Sequence, residues 1–136
     1  MTRQELEKVY YLKRELKIWE RRYNELIADM SQDTPAADGM PYANTNKISR
    51  PTESKAIQIA DHAELIHGKL AEIRIAIREV EAFIVGIEDP MIRTIVELRC
   101  VYCMQWDEVA ERIGGNSTGD NMRQLYHRFL QTVDFE

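Results

Sequence analysis

The sequence predicts an all-α protein, with a long N-terminal antiparallel helical hairpin of coiled-coil type followed by three short helices. Two observations predict this class. Apolar residues recur at alternating intervals of three and four over two long stretches, which is the repeat of a coiled-coil seam. Capping residues and a Gly-Gly break then divide the last third into short amphipathic segments. With 136 residues, the chain suits one domain, or one small domain with an extended helical segment.

The first predicted helix runs from Thr2 to Met30. Its apolar positions follow the repeat without interruption and comprise Val9, Leu12, Leu16, Trp19, Tyr23, Leu26 and Met30. Asp33, Thr34 and Pro35 then stop the helix. Its basic residues are interleaved with glutamates, so we interpret them as solvated flanks of a coiled coil, with contact to nucleic acid as the alternative.

The second predicted helix runs from Thr52, its N-cap, to Ile87. Its seam comprises Ala56, Ile59, Ala63, Ile66, Leu70, Ile73, Ile77, Val80, Ile84 and Ile87. Such seams associate because apolar surface is driven out of water. The simplest arrangement is a hairpin in which the two seams face each other, and pairing of the second helix across a dimer is the alternative. Further self-association is expected, since a narrow two-helix seam buries little area.

Residues 31–51 form the predicted connection between these helices, and four residues in it break regular structure: Pro35, Gly39, Pro41 and Pro51. About twenty residues without regular structure is long for a compact domain. We predict disorder here, with a partner-binding surface as the alternative. The chain is therefore divided into a helical hairpin and oligomerisation region at 1–89, including this loop, and a second region at 90–136.

The second region opens at Asp89 and Pro90, where the aspartate caps a helix and proline takes its first position. A turn at residues 103–105 follows. The next helix has an apolar side formed by Trp106, Val109, Ala110 and Ile113. Gly114 and Gly115 then permit a sharp change of direction.

Ser117 or Thr118 caps the final helix, whose inward stripe comprises Met122, Leu125, Tyr126, Phe129 and Val133. A short helix, a glycine turn and a second amphipathic helix, in this order, are the layout of a helix-turn-helix. The last helix of that motif lies in the major groove of DNA. The candidate DNA-binding residues are Ser117, Thr118, Asp120, Asn121, Arg123, Gln124, His127 and Arg128. Arginine suits guanine or phosphate, and glutamine or asparagine suits adenine. The alternative is an ordinary solvated helix face.

Charge and chemistry limit the functional classes. The net charge of -5 disfavours tight non-specific binding to nucleic acid, and residues 90–136 hold five arginines against seven acidic residues. Cys100 and Cys103 are expected to be reduced thiols, because no second pair of ligands completes a zinc site. His127 is a weak catalytic candidate. Without a metal set, nucleophile elbow or phosphate loop, we expect neither an enzyme nor a cofactor.

The N-terminus is charged from its first residues, unlike a secretion signal. No stretch approaches the ~20 apolar residues that span a bilayer. We therefore expect a cytoplasmic protein with no membrane partner.

Two stretches carry a family resemblance. Leu98-Arg99 followed by Trp106-Asp107-Glu108-Val109-Ala110, together with Met122–Leu130, resembles region 4 of the sigma-70 family of RNA polymerase subunits. With the long helices before it, the chain is similar to small phage and prophage regulators of Gram-positive bacteria, of the RinA and ArpU types. Phe129 departs from the family, which usually has alanine there, and Cys103 stands where a glycine often makes the turn. The loop at residues 115–119 is slightly extended.

The resemblance implies binding to promoter DNA and contact with RNA polymerase. It implies that Asp120, Arg123 and Gln124 face the major groove and that Arg128 lies near the backbone. We therefore predict a phage- or prophage-derived DNA-binding transcriptional regulator that binds double-stranded DNA as a homo-oligomer. One alternative is an interaction module that binds RNA polymerase or a phage protein without reading bases. The other is a small terminase-like component of DNA packaging.

Overall fold

The computed structural model describes residues 1–32, 45–133 and 135, and these residues form helices and turns with no strand among them. The predicted all-α class is confirmed. The helices are α1 (Arg3–Gln32), α2 (Thr45–Val85), α3 (Pro90–Val96), α4 (Trp106–Ile113) and α5 (Gly119–Thr132), and a π-helical turn at Glu97–Val101 extends α3. None of the described helices has the length and apolarity needed to cross a membrane.

The start of α1 is fixed by a capping box, in which a threonine and a glutamate three residues later satisfy each other's backbone N–H groups. The Thr2 hydroxyl accepts a hydrogen bond from the Glu5 backbone nitrogen at 3.1 Å, and the Thr2 backbone nitrogen donates to Glu5 Oε2 at 2.9 Å. Helix α1 therefore begins within one residue of its predicted start.

Helix α2 starts earlier and ends earlier than predicted. It begins at Thr45, so the prediction of Thr52 as N-cap is wrong, and it ends at Val85 rather than Ile87. Proline fits the φ of a helix, although its missing N–H and the clash of its ring with the carbonyl four residues earlier destabilise the helix. A helix can therefore extend upstream of Pro51 at a cost in stability. Residues 31–32, at the end of α1, and residues 45–51 are thus helical instead of part of a loop. The rest of the predicted loop, at 33–44, lies outside the described residues.

The chain divides into two compact units, which we call the core unit (residues 1–13 and 72–136) and the paired-helix unit (residues 14–71). Large side chains that are fully buried all belong to the core unit and are Leu6, Val9, Val80, Ile95, Val96 and Val109. The start of α1 and the end of α2 therefore share a hydrophobic core with the C-terminal helices. This packing unit includes residues on both sides of the predicted division at 89/90.

In the paired-helix unit, side chains of α1 contact side chains of α2. Lys69 of α2 forms an ion pair with Glu15 of α1 and lies 4.9 Å from the ring centroid of Trp19. The Trp19 ring in turn lies 6.3 Å from that of His62. Along these contacts residue numbers rise in α1 as they fall in α2. Ala56, predicted to lie in the seam, is exposed.

Helix α3 begins as predicted. Asp89 Oδ1 accepts a hydrogen bond from the Met91 backbone nitrogen at 2.9 Å, and Pro90 takes the first helical position. The predicted cap is confirmed. At its end the helix widens into the π-helical turn, where the Tyr102 backbone nitrogen donates to the Glu97 carbonyl at 3.2 Å.

Candidate functional site

Helix α5 has one buried side and one exposed polar side. Met122, Tyr126 and Leu130 are buried in the core unit. The six predicted DNA-binding residues within the helix are all exposed and comprise Asp120, Asn121, Arg123, Gln124, His127 and Arg128. At 3.6 residues per turn these six lie on one side of α5, opposite the buried stripe. We call this group of six the polar face of α5.

The two remaining predicted residues, Ser117 and Thr118, precede the helix. Thr118 is the N-cap: its hydroxyl accepts a hydrogen bond from the Asn121 backbone nitrogen at 3.2 Å. Ser117 is half-buried and lies one residue earlier. Of the two caps that the sequence left open, the structure uses Thr118. Its hydroxyl satisfies a backbone N–H at the start of the helix, which is a structural role.

The direction of α5 is set by two glycines with positive φ. Gly114 has φ +79° and ψ -168°, and Gly115 has φ +70°. The conformation of Gly114 belongs to a region that is essentially restricted to glycine. The predicted Gly-Gly turn is therefore confirmed, and the orientation of the polar face depends on these two residues.

The first residue of α5, Gly119, lies against the first turn of α4. A Cβ atom at Gly119 would overlap the Asp107 carboxylate and would lie 3.2 Å from the Asp107 backbone nitrogen. The Asp107 carboxylate thus lies beside the N-terminus of α5, where the helix dipole favours negative charge. In the sequence, Asp107 belongs to the stretch that resembles sigma-70 region 4, and no local signal indicates its contact with α5.

The turn between the π-helical turn and α4 depends on Cys103 and on two basic side chains. Cys103 has φ +57°, a left-handed conformation that favours glycine. Arg99 Nη1 donates a hydrogen bond to the Met104 carbonyl at 2.8 Å, and the Arg99 guanidinium lies 4.6 Å from the Trp106 ring centroid. Lys13 Nζ donates to the Val101 carbonyl at 2.7 Å. The sequence contained no signal for the contact of Lys13, since it joins residues far apart in the chain.

Beneath α5, two groups that could ionise stay neutral. The Cys100 thiol lies 3.5 Å from the Tyr126 hydroxyl, and the Tyr126 ring lies 5.2 Å from that of Trp106. Burial raises the pKa of Cys100 to about 11, and burial also raises the pKa of Tyr126. Cys100 and Cys103 are both free thiols. Cys100 therefore packs as a small apolar side chain and remains protonated at neutral pH.

The polar face carries mixed charge. Arg123 and Arg128 supply positive charge and, within the described ranges, neither forms an ion pair. Asp120 adds a negative charge at the start of α5. The exposed acidic side chain of Asp107 on α4 lies against Gly119 at the start of α5. The face can therefore offer directional hydrogen bonds to a partner, with little net positive charge.

At its other end, α5 borders an apolar groove of about 470 Å³, lined in part by Phe83, Ile87, Ile92, Phe129 and Val133. The Phe83 ring lies 6.2 Å from that of Phe129 and 6.5 Å from that of Phe135. Phe129 is the position where the resembled family usually has alanine, and its ring here packs against α2.

Comparison of the chain with protein-family models, with curated proteins and with solved structures finds no match. The resemblance to sigma-70 region 4 therefore stays a prediction.

Proposed function

We propose that this chain is a phage- or prophage-derived transcriptional regulator that reads promoter DNA in the cytoplasm through α5. In this proposal α4 and α5 are the two helices of a helix-turn-helix, and α1 with α2 forms the antiparallel hairpin that assembles a homo-oligomer. The phage and promoter parts come from the resemblance to sigma-70 region 4 and to RinA- and ArpU-type regulators.

The observation that carries the proposal is the polar face itself. Arg123 and Gln124 are adjacent and exposed on a helix whose other side is held by buried Met122 and Tyr126. A reading helix needs this combination, because base contacts require side chains held on a rigid support. The buried side chains of α5 supply the rigid support, and its exposed side chains supply the polar groups.

The side chains on this face suit base recognition. An arginine makes paired hydrogen bonds to guanine, and a glutamine makes them to adenine. Arg128, four residues from Gln124, suits a backbone phosphate. Because only two arginines lie on the face, we expect few phosphate contacts and a shallow dependence of affinity on salt.

The first prediction tests base reading. Preferred duplexes are selected from random and phage DNA with the full-length protein, and affinity is measured by fluorescence anisotropy. The variant combining Arg123→Ala with Gln124→Ala should lose about 1–3 kcal/mol of discrimination per contact on the selected duplex. It should change affinity for unrelated duplexes much less.

The matched control combines Arg78→Ala with Gln4→Ala, which removes the same residue types from exposed positions of the core unit. This control should bind the selected duplex like the unmodified protein. Equal affinity of the unmodified protein and the Arg123/Gln124 variant for the selected duplex would contradict base reading by α5.

A second candidate function, an interaction module that binds RNA polymerase or a phage protein, is favoured by the apolar groove beside Phe83 and Phe129. Such a groove suits an apolar protein segment. Retention of RNA polymerase by the immobilised protein, lost on Phe129→Asp and kept on Arg123→Ala, would support this candidate. The absence of any selected DNA sequence would then favour it over the first.

A further inference from the structure

The paired-helix unit has no buried side chain among the residues described for it. Over residues 14–30 and 53–71 every side chain is exposed or half-buried, including the seam residues Leu16, Trp19 and Ile66. The core unit, by contrast, buries the same kind of seam residue completely at Val9 and Val80. Apolar seams of this kind are stable only when they are covered, so the two helices do not satisfy each other.

Large aliphatic side chains outside the seam are also exposed in this unit. The exposed fractions are 66% for Ile18, 62% for Ile57, 50% for Leu65 and 39% for Ile27. Single exposed aliphatic residues are ordinary. Ile18 and Ile27, nine residues apart, lie on opposite sides of α1, so a partner on the Ile18 side of α1 would cover the most exposed of the four.

Among the residues described for this unit, one buried side-chain nitrogen lacks a hydrogen-bond partner. His62 Nε2 is shielded from solvent and forms no hydrogen bond within the described part of the chain. A shielded imidazole nitrogen without a partner is costly, and a polar group on an added helix would satisfy it.

The charged residues along α1 indicate which kind of partner would bind this surface. Between residues 14 and 22 there are four basic and two acidic side chains, whereas between 23 and 30 there are two acidic and no basic ones. Arg21, Arg22 and Glu25 lie three, four and seven residues after Ile18, so they share its side of the helix. Two copies of this segment are complementary only when they run in opposite directions, because each basic half then faces an acidic half.

We propose that the paired-helix unit binds the same unit of a second copy of this chain, with the two α1 helices antiparallel, to form a four-helix bundle. A two-fold axis then relates the copies, and the Ile18 side of each α1 faces the other. This proposal specifies the surface, the stoichiometry and the orientation of self-association, and it does not depend on binding to DNA.

Sedimentation equilibrium of the full-length protein without DNA tests the stoichiometry. We expect a mass twice the 15.9 kDa of one chain. Ile18→Glu should give the single-chain mass, because it places a charge in the contact. Ile75→Glu, at a position 57% exposed in the core unit, is the matched control and should stay dimeric. Circular dichroism checks that both variants remain helical.

A single-chain mass for the unmodified protein at every concentration, or a ring of many copies, would overturn the proposal. So would an Ile18→Glu variant that remains helical and dimeric. If Ile18→Glu is monomeric but the Arg123/Gln124 variant binds the selected duplex as well as the unmodified protein, the proposed assembly is supported and the proposed base reading is contradicted.

A charge exchange tests the orientation. Arg21→Glu with Arg22→Glu makes both halves of the segment acidic and should weaken dimerisation at least tenfold. Adding Glu25→Arg and Asp29→Arg reverses the original pattern and should restore the dimer at low salt. In a parallel dimer equal halves would meet, so the first pair of changes would have little effect. That result would overturn the antiparallel arrangement.

Discussion

At the scale of single residues, backbone conformation decides what each turn accepts. Gly114 lies in a region that only glycine occupies readily, whereas Cys103 adopts a left-handed conformation although it has a side chain. Cys103 stands where the resembled family often has glycine. The structure shows that the turn keeps the conformation typical of glycine, supported by the hydrogen bond from Arg99 to the Met104 carbonyl.

The second prediction compares two glycine-to-alanine changes. Gly114→Ala should lower the free energy of unfolding by about 1–3 kcal/mol, because alanine is strained at that φ and ψ. Gly68→Ala should raise it by about 0.5–1 kcal/mol, because Gly68 lies within α2 with open space around it. Urea denaturation followed by circular dichroism measures both. Destabilisation of similar size at both positions would show that the Gly114 conformation is not the cause.

At the scale of helices, the contact between α4 and α5 depends on one close approach. Gly119 permits the start of α5 to lie against Trp106 and Asp107, and the Asp107 carboxylate lies beside the positive end of α5. Asp107 therefore interacts favourably with the dipoles of two helices. The same carboxylate repels a phosphate group that approaches the start of α5.

The third prediction distinguishes the interaction of Asp107 with the dipole of α4 from its interaction with the dipole of α5. A favourable charge at one helix end typically contributes ~0.3–1 kcal/mol. Asp107→Asn should lower the free energy of unfolding by up to twice that amount, because it removes a charge from beside two helix ends. Glu108→Gln removes the same charge from the first turn of α4 but not from beside Gly119, so its effect should be the one-helix value. Both are measured by thermal unfolding at low ionic strength. Equal effects would show that the Asp107 carboxylate does not act on α5.

At the scale of the whole molecule, the C-terminal helices share their core with the start of α1 and the end of α2. Leu6 and Val9 from α1, and Val80 from α2, are fully buried together with Ile95 and Val109. The polar face of α5 is thus supported by residues nearly the whole length of the chain away. A fragment that begins at residue 90 would lack much of this core.

The fourth prediction tests this shared core. Leu6→Ala should lower the stability of the C-terminal helices by about 2–5 kcal/mol, because it leaves a cavity in their core. Trp106 fluorescence in a Trp19→Phe background reports the unfolding of this part of the chain. Leu65→Ala, at a side chain that is half exposed, should cost far less. An unchanged Trp106 transition in the Leu6→Ala variant would show that residues 90–136 fold independently.

The sequence by itself determined the all-α class, the cap at Asp89, the glycine turn at Gly114 and the division of α5 into apolar and polar sides. These features are local: periodicity and capping chemistry act within a few residues and can be read along the chain. The start of α2 was predicted wrongly, because Pro51 is a helix-breaking signal that does not forbid a helix upstream.

Only the tertiary structure decided which seam residues are buried and which contacts hold the polar face in place. The seam has one repeat along its length, yet Val9 is fully buried and Leu16 is not. Likewise Lys13 reaches Val101, and Asp107 reaches the start of α5, through contacts between separate helices. Whether a side chain is buried depends on which element packs against its helix. A repeat along one helix contains no information about that neighbouring element.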